Sequence, residues 1–75
     1  MVDTKYKEIV DYLREARLDL ENAEDVLRDR IKKIQKYLDE NPDEEQSFEL
    51  AFLKTKLEEI EDMIGMIEDI IRDLS

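Results

Sequence analysis

Two carboxylate pairs are the residues best spaced to do chemistry in this chain. Glu21 and Glu24 stand three residues apart, as do Glu59 and Asp62. That spacing puts both members of a pair on one face of a helix. Acidic pairs on facing helices can hold Mg²⁺ or Mn²⁺, as they do in di-metal carboxylate bundles. The chain has no Cys and no His, so a metal site would have to be built from oxygen ligands. The same absence excludes disulfides and an imidazole base. Thr4, Ser47, Thr55 and Ser75 therefore have no His to activate them as nucleophiles. There is no glycine-rich phosphate loop, and Gly65 is the single glycine.

Glu58-Glu59 followed by Asp62 resembles the acidic motif of the MazG-type nucleotide pyrophosphohydrolases, over five residues. The resemblance implies a Mg²⁺- or Mn²⁺-dependent nucleotide phosphohydrolase. The repeat described next departs from that pattern. It turns Glu21, Glu59 and Asp62 outward and leaves only Glu24 beside the helix seam, whereas bundle ligands must point inward. The sequence reading therefore assigns no catalytic residue, no metal ligand and no cofactor, and takes the chain as non-enzymatic.

The elements that would carry these residues are two long helices. In the second, Leu50, Leu53, Leu57, Ile60, Ile64, Ile67, Ile71 and Leu74 alternate three and four apart, which keeps one apolar stripe on a partner helix. In the first, one seam line reads Tyr6, Leu13, Leu20, Leu27 and Ile34. The spacing gives the other as Ile9, Ala16, Ala23, Arg30 and Tyr37, with Arg30 as a break after which Ile31 and Leu38 take over. The first helix is expected over about 3–39, capped by Asp3 or Thr4, and the second over about 42–74. Asn41-Pro42-Asp43-Glu44 is the expected turn, with Asn41 capping, Pro42 at the first helical position and Ser47 as a later alternative cap. So short a turn makes the helices antiparallel neighbours. The fold class is all-α, a single helical-hairpin domain over 1–75.

One hairpin leaves too much apolar surface. Of 31 apolar residues the two-helix seam uses 17. Val10, Tyr12, Val26, Ile31 and Leu38 flank it in the first helix, and Met63 and Ile70 widen the stripe of the second. A stripe widened by a third position suits a bundle. Each large aliphatic side chain left wet forgoes about 1.5–3 kcal/mol. The expectation is a homodimer of hairpins, a four-helix bundle. Its interface draws on Val10, Leu13, Leu20, Leu27, Ile31 and Leu38 of the first helix. The second contributes Leu57, Met63, Ile64, Ile67, Ile70 and Ile71. Phe48, Phe52 and Met66 lie outward and form a candidate patch for another protein. Gly65 costs about 1 kcal/mol mid-helix and allows a bend or a close outside contact.

Net charge is −10. Residues 1–38 are balanced, and residues 39–75 hold the whole acidic excess. An acidic chain repels phosphate, so neither nucleic acid nor membrane is expected as a partner. No stretch approaches the roughly 20 apolar residues of a membrane span, and nothing at the N-terminus reads as a secretory signal. The expected localisation is cytoplasmic. A basic island, Arg28, Arg30, Lys32, Lys33 and Lys36, is read as serving the helix dipole and local pairs with Glu24 and Asp29. Its place toward the loop favours two hairpins packed with loops at opposite ends. The functional expectation is a self-associating interaction or assembly module. The alternative is an acidic inhibitor, antitoxin-like or mimicking nucleic acid, that blocks a basic target. The phosphohydrolase comes third. A designed bundle is a further alternative, against which Gly65 and the outward Met and Phe weigh.

Overall fold

The computed structural model describes residues 5–75. It is an antiparallel hairpin of two helices, α1 (Lys7–Glu40) and α2 (Glu44–Leu74), and holds no strand among the described residues. The hairpin is a rod of 59 × 14 × 13 Å. Its radius of gyration is 17.3 Å, against about 11 Å for a compact domain of this length.

The start of α2 departs from the sequence expectation by two residues. Asn41 ends α1 in an extended conformation, φ −135° and ψ 100°, because Pro42 disfavours helix in the residue before it. Asn41 does not cap α2. Its backbone N–H and its side-chain Nδ2 both donate to the Tyr37 carbonyl, at 2.9 and 3.2 Å. The extended stretch continues through Pro42 to Asp43, which is the true N-cap. Asp43 Oδ1 accepts from the Gln46 N–H at 3.1 Å, satisfying one of the donors a helix start leaves orphaned. Glu44 and Glu45 occupy the first turn, where the helix dipole favours them. Ser47 is inside the helix, and its N–H donates to the Asp43 carbonyl at 3.0 Å.

At the other end α1 begins at Lys7, after a turn at Lys5 and Tyr6, and Tyr6 makes no side-chain capping bond. The expected caps Asp3 and Thr4 lie outside the described residues. The last turn of α1 carries no base, so the basic island does not serve the dipole there. It lies one turn and more upstream. Its local pairs do form, Arg28 with Glu24 at 3.4 Å and Lys33 with Asp29 at 3.1 Å.

The core is the line of contact between the helices. Leu50, Ile64 and Ile71 are buried on α2, and Leu53, Leu57, Ile60, Ile67 and Leu74 are half-buried, as the repeat requires. On α1 the lines facing α2 are Tyr6, Leu13, Leu20, Leu27, Ile34 and Val10, Arg17, Glu24, Ile31, Leu38. This corrects the second seam line. Val10 is only 5% exposed, whereas Ile9 is 50% exposed, and Ala23, Arg30 and Tyr37 are exposed too. The helix is turned by about half a residue position from the alignment the spacing gave.

Packing explains the choice. The observed seam shelters three large aliphatic groups, Val10, Ile31 and Leu38. The expected one would have sheltered two alanines at its centre and Arg30 as an inward cation. The cost of the observed choice is two charged residues on the seam. Both have long stems that cover apolar surface while their ends reach water. Glu24 stays paired with Arg28, and Arg17 lies 3.6 Å from Glu21.

Candidate protein-interaction face

An ion pair between the helices shows which flanks share an edge. Arg28 Nη2 donates to Glu61 Oε1 at 3.1 Å. The line 14, 21, 28, 35 of α1 therefore lies beside the line 47, 54, 61, 68 of α2. These eight positions are all charged or polar. The remaining flanks must meet on the opposite edge: 9, 16, 23, 30, 37 of α1 and 49, 56, 63, 70 of α2. The hairpin is thus two-sided, with a charged edge and an apolar edge.

The apolar edge gathers most of the large exposed hydrophobic side chains. From α1 it takes Ile9, Tyr12, Val26 and Tyr37, with Ala16 and Ala23 between them. From α2 it takes Phe52, Met63, Met66 and Ile70. On α1 these positions fall on one line stepped by alternating three and four residues, broken by charge at Asp19, Arg30 and Lys33, a second stripe beside the one that faces α2. Val26 is 71% and Met66 64% exposed. Such a stripe has no partner within the chain, and water against it is unfavourable. Charged residues interrupt it: the cations Arg30, Lys33 and Lys56, and the acids Asp19, Glu49 and Glu59. Lys56 pairs with Glu59 at 3.1 Å and holds its ammonium 5.3 Å from the centre of the Phe52 ring.

The sequence-derived interface residues divide between two places. Val10, Leu13, Leu20, Leu27, Ile31 and Leu38 face α2 of the same chain, as Leu57, Ile64, Ile67 and Ile71 face α1. Met63 and Ile70 lie outside the seam, on the apolar edge. Of the candidate partner patch, Phe52 and Met66 join that edge, while Phe48 sits on the outer back of α2, one turn before Phe52. Ile9, Ala23 and Tyr37 belong to the edge although their spacing placed them in the seam. Part of the signal for them was present, because 9, 12, 16, 23, 26 and 37 share one helical line, although Asp19, Arg30 and Lys33 break it.

The carboxylates are arranged differently from the sequence expectation. Glu21 and Glu24 share a shallow groove on the charged edge with Asp25, Glu61, Glu68 and the side of Ile64. Glu59 is turned away toward Lys56. The two pairs therefore do not face each other. Among the described residues no group of three or more carboxylates is spaced to hold a metal ion. Gly65 lies away from the apolar edge, and a Cβ there would meet nothing within 4 Å. No described helix is long and apolar enough to cross a membrane.

No family model matches the chain, and neither a curated protein nor a solved structure matches it.

Proposed function

We propose that this chain is a non-enzymatic assembly module, a helical hairpin that self-associates through its apolar edge. The observation that carries the reading is the second stripe on α1, continued by Met63, Met66 and Ile70 of α2 and left without cover in the single chain. Surface area supports it. The chain exposes 6053 Å², against about 4,900 Å² for a globular monomer of its 9.0 kDa mass. A chain this small gains most by adding a second core. The charged edge stays in water and keeps the assembly soluble.

Sedimentation equilibrium across nanomolar to high micromolar concentration tests the reading. The expected result is a concentration-dependent rise above 9.0 kDa. A folded hairpin that stays monomeric throughout would overturn it.

A second reading has its own observation. The groove of Glu21, Glu24, Asp25, Glu61 and Glu68 presents a row of carboxylates on the charged edge. Rows of this kind attract phosphate-binding surfaces, which supports an inhibitor that blocks a basic, nucleic-acid-handling target. Salt-sensitive binding to such a target, lost on charge reversal at Glu61 and Glu68, would favour it over assembly alone.

A further inference from the structure

We propose that two copies pack apolar edge to apolar edge with their loops at opposite ends, α1 crossing α1 of the second copy at Ala23. This rests on the self-association reading above and adds the orientation and register.

Area matches the occupant. Two separate hairpins expose twice 6053 Å². One globular body of twice the mass exposes about 8,000 Å², so each chain covers at most about 2,000 Å². Half of that already reaches the roughly 800 Å² per partner of a stable interface.

Charge selects the orientation. Arg30 makes no ion pair among the described residues, although it stands in the middle of the edge. Lys56 lies at nearly the same height above the loop, on the neighbouring flank of α2. With loops together, the two-fold axis runs along the rod and sets α1 over α2 of the second copy. Arg30 then meets Lys56, like charge on like. With loops opposed, the axis runs across the rod and sets α1 over α1, antiparallel. Ala23 sits at the midpoint of α1 (Lys7–Glu40), so full overlap puts it at the crossing. Arg30 then falls opposite Ala16 of the second copy, about 4.5 Å along the axis from that copy's Asp19. Each dimer gains two such opposite-charge pairs. The alanines at 16 and 23 let the helices approach to the short end of the 8–10 Å range of packed helices.

The chain has no native cysteine, so a single spin label reads the orientation. Ser47→Cys places it on the charged edge near the loop, clear of the proposed interface. In the opposed arrangement Ser47 lies level with the C-terminal end of α2 of the second copy, and the two labels are separated by about 40–50 Å. With loops together they are within about 25 Å. Double electron–electron resonance is measured on a sample whose mass is checked by sedimentation. In parallel, Arg30→Asp should raise the dimer Kd roughly tenfold at low salt, and adding Asp19→Arg should recover most of that loss. A dimer with the long distance and charge-swap rescue supports the proposal. A dimer with the short distance overturns the orientation and leaves self-association standing. A long distance without rescue overturns the register at Arg30. A higher oligomer overturns the two-copy arrangement. A chain monomeric at every concentration overturns the self-association reading itself.

Discussion

Replacing Glu24 with Leu should stabilise the hairpin, and the size of the effect follows from where the residue sits. The Glu24 side chain is only 19% exposed and lies on the seam. A Leu there would gain most of the roughly 1.5–3 kcal/mol that burying such a side chain provides. Part of that gain is already realised by the buried stem of Glu24. The substitution also loses the 3.4 Å pair with Arg28, whose side chain is half exposed. Half-exposed pairs contribute about 0–1 kcal/mol after solvent screening, and Arg28 keeps Glu61. The net is about 1 kcal/mol of added stability, or about 4–8 °C in Tm for a domain of this size. Circular dichroism melts at matched oligomeric state, repeated in guanidinium, would measure it. An unchanged or lowered Tm would refute the seam described above. In the alignment that the spacing alone gave, Glu24 borders the seam and Ala23 fills it. Ala23→Leu would then overpack the core and cost about 1–3 kcal/mol. With Ala23 exposed, the same change should leave the stability of the isolated hairpin within about 0.5 kcal/mol.

Val26→Glu combined with Met66→Glu should shift self-association to at least tenfold higher concentration in sedimentation, while the helical signal of the isolated hairpin is unchanged. Asp43→Ala removes the acceptor for the Gln46 N–H and should cost about 1 kcal/mol by chemical denaturation. Gly65→Ala should stabilise by about 0.5–1 kcal/mol, because the added methyl meets open space and the helical glycine loses backbone entropy. A loss of assembly in that variant would instead mark Gly65 as a contact. For an assembly module the melting temperature should rise with protein concentration. A rise produced by Mg²⁺ or Mn²⁺ instead would favour the phosphohydrolase resemblance.

The chain itself determined the two helices, the tight turn between them and the whole seam of α2. An unbroken three-and-four alternation from Leu50 to Leu74 has only one helical face to offer. The cap was less legible, because Asn41 and Asp43 are both good caps on either side of Pro42. The structure settles it on Asp43, whose Oδ1 accepts from the Gln46 N–H, while Asn41 stays with α1 through the Tyr37 carbonyl.

Helix α1 could not be read to its end, for a physical reason. It carries two overlapping apolar stripes that share Leu13, Leu20, Leu27 and Ile34, and a small rotation about its own axis exchanges them. Each choice puts charge on the seam: Arg17 and Glu24 in one, Arg30 in the other. Spacing counts these as equivalent. The tertiary structure weighs them by volume and by the ion partners available. Val10, Ile31 and Leu38 fill more space against α2 than Ala16 and Ala23 do, and Arg17 and Glu24 find Glu21 and Arg28 beside them. Only contact with α2 could turn Ile9, Val26 and Tyr37 outward and so form the edge on which the proposed assembly depends.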